Sequence, residues 1–131
     1  MIVLEIQKLG NYDDIYALDL FLEDFENTVL GRSQSESRRY SAWLQRKLDD
    51  LDQYRERAIQ LRDFEKVEGH TMLYSIRYPH SKKNPRIIYF FVHKGKPVLL
   101  LAFLEKKSSD YERNISAALA RYNFVVDHFD L

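Results

Sequence analysis

The spacing of apolar residues changes near residue 72 of this 131-residue chain, and the change restricts the folds available to it. Over residues 13–30 and again up to about residue 63, apolar side chains recur every three or four positions. This spacing predicts two amphipathic helices, joined by the polar segment 33–37 into an antiparallel hairpin. Ser33, three residues before Glu36, is the candidate N-cap of the second helix. Beyond residue 72 the apolar residues alternate or run continuously, which predicts three strands at 72–78, 87–92 and 98–104.

The elements around this pattern complete a mixed fold. The β-branched run 2–6 predicts a first short strand, which Gly10 and Asn11 end. A last helix is predicted from Asp110 to about Tyr122, and the apolar tail 124–131 is expected to pack back on the domain. Strand, helical hairpin, three-stranded antiparallel meander and C-terminal helix together predict a single α+β domain of two layers.

Composition excludes several classes of protein. Apolar residues make up 45% of the chain, enough for a packed core, and charged residues make up 31%. No apolar run approaches the length of a membrane span, and the first residues lack the features of a signal peptide. The chain has no cysteine, which excludes disulfides and thiolate metal sites. We therefore expect a cytoplasmic protein that does not associate with membranes.

The net charge of zero conceals an uneven distribution. Residues 1–66 carry 14 acidic and 10 basic side chains, whereas residues 67–131 carry 6 acidic and 10 basic ones. Within 70–121 the excess is largest, with ten Lys or Arg against Glu105, Asp110 and Glu112. This asymmetry predicts a basic functional face, although a mixed surface with no such role stays an alternative.

Motifs for metal, nucleotide and acyl-enzyme chemistry are missing from the sequence. The four histidines are 10, 13 and 35 residues apart, which is unlike helical metal ligands. The paired carboxylates at 13–14 and 49–50 fall on predicted helix exteriors, where solvation explains them. No glycine-rich phosphate loop or nucleophile elbow is found. We expect neither a metal nor any other cofactor.

Cations and aromatic residues coincide in the predicted sheet. Arg77 ends one strand, Arg86 begins the next, and Lys106 and Lys107 follow the last. Cations beside stacking surfaces suit single-stranded RNA, whose bases can stack on aromatic rings. The aromatic candidates are Tyr74, Tyr78, Tyr89 and Tyr111. The alternative is that these cations are ordinary exposed charges at strand ends.

Three segments resemble the RelE/HigB toxin superfamily, in its phage-derived Gp49-like branch. They are Leu-Tyr-Ser-Ile-Arg (73–77), Asn-Pro-Arg-Ile-Ile-Tyr-Phe-Phe (84–91) and Val-Leu-Leu-Leu-Ala-Phe-Leu-Glu-Lys-Lys (98–107). The specific motifs lie within 72–113, and the order of elements extends the resemblance over residues 1–131. The resemblance implies a RelE-like domain that acts as the toxin of a type II toxin–antitoxin pair. It also implies cleavage of mRNA on the ribosome without metal, by attack of the ribose 2′-hydroxyl on the adjacent phosphate.

The same resemblance implies roles for particular residues. It implies catalytic roles for Arg77, Arg86, Lys106, Lys107 and Tyr111, although Tyr111 lies closer to the lysines than in the best-known members. Around them, contacts to RNA are expected from a second group of residues. That group is Tyr74, His80, Lys82, Lys83 and Tyr89, with His80 also a candidate base.

Two further expectations concern partners and activity. The resemblance implies an antitoxin partner, expected to be a small helix-turn-helix protein, beside mRNA on the ribosome. The superfamily also contains gyrase-inhibiting ParE-type toxins and members that only bind. A non-catalytic binding protein on the same fold, either of that type or a phage-derived regulator, is therefore the alternative function.

Overall fold

The computed structural model describes residues 4–129, which form a six-stranded sheet with helices on both faces. In chain order the elements are β1 (Ile6–Lys8), β2 (Tyr16–Leu18), α1 (Asp19–Asp24) with a π-helical turn (Phe25–Val29), α2 (Gln34–Tyr54) with a 3₁₀ segment (Arg55–Gln60), β3 (Phe64–Lys66), β4 (Tyr74–Arg77), β5 (Pro85–Val92), a 3₁₀ turn (His93–Gly95), β6 (Lys96–Leu104) and α3 (Ser108–His128). The mixed α+β class predicted from the sequence is confirmed.

The strands lie in the order β1-β2-β6-β5-β4-β3. Only the pairing of β2 with β6 is parallel, and every other neighbouring pair is antiparallel. The predicted meander corresponds to β4, β5 and β6, so its strand order is confirmed. Its register places Arg77 opposite Arg86 and Tyr74 opposite Tyr89. Residues that face each other in this way project to the same side of a sheet.

Helices cover both faces of the sheet, so the predicted two-layer arrangement is wrong. On one face, Tyr78 beyond the end of β4 stacks on Trp43 of α2, with ring centroids 5.3 Å apart. On the other face, Phe90 of β5 meets Tyr122 of α3 edge to face at 4.9 Å. Because β5 carries apolar side chains on both sides, a helix must cover each face to bury these side chains away from water. The result is three layers.

The N-terminal elements differ from the prediction. The first strand spans Ile6–Lys8 rather than 2–6, and residues 2 and 3 lie outside the described part of the chain. The helix predicted over 13–30 begins only at Asp19, because Tyr16–Leu18 form β2. Tyr16 and Ala17 pair with β6, and β1 covers their other side. Pairing inside the sheet therefore overrides a spacing that is ambiguous over so few residues.

Two predicted helix ends also moved. The helix expected to reach residue 63 ends at Tyr54, because Arg55 has a φ of 53° that an α-helix does not tolerate. Residues 64–66, which no predicted element covers, form β3 against β4. The last helix continues to His128, so most of the expected tail is helical, and Val125 is buried there. Residues 130 and 131 lie outside the described range.

One local signal worked as predicted at the start of α2. The Ser33 hydroxyl accepts a hydrogen bond from the Glu36 amide at 3.2 Å, which caps the helix.

Among residues 4–129, no helix combines the length and apolar character that a membrane span requires.

Candidate functional site

Five side chains from separate elements meet on the α3 face of the sheet. Glu65 of β3, Arg77 of β4 and Arg86 of β5 lie on adjacent strands, and Glu105 follows the last residue of β6. Tyr111, in the first turns of α3, covers Arg86 from above. We call these five residues the Arg86 cluster. The fold thus brings Arg77 and Arg86 of the meander together with Tyr111 of α3, and it adds two carboxylates that were not predicted from the sequence.

Arg86 is the centre of the cluster and is only 5% exposed. Its Nε and Nη2 donate to Glu105 Oε2 at 3.0 and 2.6 Å, and its Nη1 donates to Glu65 Oε1 at 3.2 Å. The guanidinium carbon lies 4.7 Å from the centre of the Tyr111 ring. A buried cation needs such partners to offset its loss of hydration. Arg86 is therefore held by two carboxylates and an aromatic ring within the protein, and it is not a free strand-end charge.

Glu65 is shared between two arginines. Its Oε1 lies 3.2 Å from Arg86 Nη1 and 3.8 Å from Arg77 Nη1. Its side chain is 43% exposed, so water and ligands reach the carboxylate. Arg77 is also accessible, since its side chain is 34% exposed and its one ion pair within residues 4–129 is the 3.8 Å contact with Glu65. Glu65 and Arg77 are therefore the members of the cluster most available to a substrate.

Tyr111 has a raised pKa. Burial of the phenol is the main cause, because it disfavours the charged form, while the Arg86 cation acts in the opposite direction. The nearby carboxylates Glu65, Glu105 and Glu68 add to the increase. At neutral pH Tyr111 therefore keeps its proton and can donate it.

A cavity of about 440 Å³ opens beside the cluster. Glu65, Glu105 and Tyr111 line it together with Lys66, Glu68 and Arg86. Three carboxylates thus face two cations, which makes the site mixed in charge rather than basic as predicted. Little in the sequence pointed to these carboxylates. Glu65 belongs to a strand of only three residues, and Glu105 is marked only by its position directly before the two lysines.

The lysines after β6 lie outside this cavity. Lys106 and Lys107 are exposed, and Lys106 lines a separate cavity of about 530 Å³ beside Asp24 and Arg121. The Lys107 amide donates to Asp110 Oδ2 at 3.1 Å at the start of α3. The structure therefore does not bring either lysine into contact with Arg86.

Two tyrosines predicted to contact RNA lie on the opposite face of the sheet. Tyr89 is completely buried, and its ring lies 5.5 Å from that of Tyr74 and 5.6 Å from that of Phe91. The prediction that Tyr89 stacks on a base is therefore wrong, because no base can reach it. Tyr74 is half-buried on the α2 side, so the sheet separates it from the Arg86 cluster.

The loop between β4 and β5 contributes two accessible side chains. His80 and Lys82 are exposed there, at the end of the sheet where Arg77 and Arg86 pair. Lys83 is engaged instead: its ammonium forms an ion pair with Glu36, donates to the Val29 carbonyl at 3.0 Å and lies 5.5 Å over the Tyr40 ring. The predicted RNA contact from Lys83 is thus replaced by a link between this loop and α2.

Residues 4–129 contain no group of three or more His, Asp or Glu side chains placed to hold a metal ion. Comparison with known proteins adds no relative: neither family models, curated proteins nor solved structures match this chain. The resemblance to the RelE/HigB superfamily therefore rests on the strand motifs within 72–113, and the function has to be inferred from the site.

Proposed function

We propose that this protein is the toxin of a type II toxin–antitoxin pair and cleaves mRNA on the ribosome without metal. The observation that carries the proposal is the position of Glu65, an accessible carboxylate between Arg77 and Arg86 in the cavity that Tyr111 lines. RNA cleavage by transesterification needs a base, an acid and a cation near the phosphate, and a carboxylate, a protonated phenol and an arginine can supply these three functions.

The proposed reaction assigns one task to each accessible group. Glu65 takes the proton of the ribose 2′-hydroxyl, whose oxygen attacks the adjacent phosphorus. The bond from phosphorus to the 5′ oxygen breaks, and Tyr111 supplies the proton that this leaving oxygen needs. The products are a 2′,3′-cyclic phosphate and a 5′-hydroxyl end, and Arg77 offsets the charge that develops on the non-bridging oxygens.

Arg86 has a different task in this proposal from the one that the family resemblance implies. Because two carboxylates and the Tyr111 ring already occupy its guanidinium, it acts as a positioning residue for Glu65 and Tyr111. Lys106 and Lys107, exposed just before α3, would contact the RNA backbone outside the cavity in this proposal.

The second candidate is a non-catalytic binding protein on the same fold, such as a gyrase inhibitor or a phage-derived regulator. The observation that favours it is the neutralisation of Arg86 by Glu65 and Glu105: with three carboxylates against two cations, the cavity has no excess of positive charge. A protein surface carrying both signs of charge would fit such a cavity as well as a phosphate does.

Induction in cells, followed by mapping of mRNA 5′ ends, tests the two candidates. Expression of the chain should create new 5′-hydroxyl ends within translated regions, and Glu65→Gln should abolish them. Glu23→Gln, an exposed change on α1, is the matched control and should cut normally. Growth inhibition without new ends, unaffected by Glu65→Gln, would favour the binding protein.

The partner that belongs to this proposal is a small helix-turn-helix antitoxin. Exposed Lys82, Lys106 and Lys107 lie at or near the end of the sheet that carries the Arg86 cluster, so acidic side chains of a partner would bind there and block RNA. Association should slow as salt rises, and Lys82→Glu should slow it further. If Glu23→Lys slows association and Lys82→Glu does not, the partner binds at α1 instead.

A further inference from the structure

A second compartment continues the cavity of the Arg86 cluster along α3. It has a volume of about 330 Å³ and shares Glu68 and Tyr111 with the first compartment. The chain segment 67–73 forms one wall, and α3 forms the other. A molecule held at the cluster can therefore extend past Tyr111 into this slot.

The wall formed by 67–73 is a closed turn. The Val67 amide donates to the Leu73 carbonyl at 3.0 Å, the Leu73 amide to the His70 carbonyl at 3.0 Å, and the His70 amide to the Val67 carbonyl at 3.2 Å. Val67 and Leu73 are both buried and anchor the turn to the core. Gly69, with a φ of 82°, supplies the left-handed residue that such a turn needs. Glu68 and His70 are thus presented from a well-supported segment.

The facing wall is a stripe of α3. Ile115, which is buried, and the half-buried Leu119 and Tyr111 form an apolar surface, because they are spaced by four residues along the helix. Glu112 lies on the same stripe and is exposed at the rim, as Glu68 is on the other wall. The slot therefore combines apolar and aromatic walls with hydrogen-bond acceptors at its edge.

We infer that this slot binds a guanine base of the RNA next to the cleaved phosphate, an inference that rests on the proposed function. Apolar and aromatic walls suit the faces of a base, and a carboxylate accepts hydrogen bonds from its edge. Guanine alone among the four RNA bases presents two adjacent donors, the N1–H and the 2-amino group, that one carboxylate can accept together. The sharing of Tyr111 between the compartments places this base beside the reacting ribose.

Titration with free nucleotides tests the slot independently of cleavage. We expect 5′-GMP to perturb NMR resonances of residues 67–73 and of α3, and to bind about tenfold or more tightly than 5′-AMP, 5′-CMP or 5′-UMP. Glu68→Gln or Glu112→Gln should reduce this preference, whereas Glu23→Gln should leave it unchanged. Thermal melting of each variant checks that it is folded.

Sequencing of the mRNA ends produced in cells separates this inference from the proposed function. Enrichment of guanine at one position beside the cut in the original chain, with weaker enrichment among the ends that Glu68→Gln or Glu112→Gln still produces, is the expected result. Cutting without base enrichment, together with equal binding of the four nucleotides, would overturn the guanine slot and leave the proposed function standing. Selective binding of 5′-GMP without any cutting would overturn the proposed function and leave the slot as a guanine site.

Discussion

Arg86 Nη2 lies 2.6 Å from Glu105 Oε2, across β5 and β6, the two central strands of the six-stranded sheet. Backbone contacts position Glu105 for this ion pair: its amide donates to the Asn84 carbonyl at 3.3 Å, and its carbonyl accepts from Asn84 Nδ2 at 3.3 Å. Asn84 itself has a φ of 48° and directly precedes β5. The loop before β5 and the residue after β6 are thereby held together beneath Arg86.

The first prediction concerns the stability that Arg86 provides. Replacement of Arg86 by Met should lower the free energy of unfolding by about 3 kcal/mol, because Glu65 and Glu105 lose the cation that neutralises them. Urea denaturation measures the difference. Lys107→Met, which removes an exposed cation, should change stability by less than about 0.5 kcal/mol. Equal stability of the two variants would show that Arg86 is not the buried centre described above.

A second prediction concerns the chemistry of Glu65. Glu65→Gln should reduce RNA cleavage by about 10²- to 10⁴-fold, the range expected when a general base is removed.

Protein treated with chelator and desalted should cleave mRNA on ribosomes as fast as untreated protein. Activity that disappears on this treatment and returns with one divalent ion would contradict the metal-free reaction.

The third prediction concerns the ion pair that joins α1 to α3. Arg121 Nη1 donates to Asp24 Oδ2 and to the Leu100 carbonyl, both at 2.7 Å. Arg121→Ala should lower the free energy of unfolding by about 2 kcal/mol, because the buried Leu100 carbonyl loses its donor. Arg113, whose side chain is 73% exposed in its ion pair with Asp110, is the matched control. Its replacement by Ala should cost less than about 0.5 kcal/mol.

A fourth prediction follows from the buried phenol of Tyr89. Its hydroxyl has no hydrogen-bond partner among the described residues, so Tyr89→Phe should keep or increase stability at pH 7, by up to about 1 kcal/mol. Burial also raises the pKa of Tyr89 well above its ordinary value. The folded state therefore holds this proton more tightly than the unfolded state does.

The sign of the pH dependence follows directly. Below about pH 10, the pKa of an unfolded tyrosine, Tyr89 carries its proton in both states and the free energy of unfolding does not depend on it. As the pH rises further, the unfolded chain releases this proton more readily than the folded protein, so the free energy of unfolding should fall. Denaturation at pH 9 and pH 11 should show a smaller loss for Tyr89→Phe than for the original chain. An identical loss in both proteins would contradict this role of Tyr89.

The sequence alone predicted the central meander and the cap of α2, because these depend on local patterns. Strict alternation in 74–77, the continuous apolar runs of β5 and β6, and the Ser33-to-Glu36 spacing each act over a few residues. Tyr16–Leu18 were predicted as helix because their pairing partner, Val98–Leu99, lies about 80 residues away. No local spacing reports a contact of that range.

The candidate site divides in the same way. The sequence determined that Arg77 and Arg86 stand at facing ends of two neighbouring strands. The expectation that Tyr89 contacts RNA beside Arg86 overlooked that residues three positions apart on a strand project to opposite sides. Only the tertiary structure decided that α3 covers the arginine side and α2 buries Tyr89, because strand periodicity separates two faces without saying which helix packs on each. The tertiary structure also decided that Glu65 and Glu105 neutralise Arg86, because only the folded chain brings these carboxylates within ion-pair distance of the buried guanidinium.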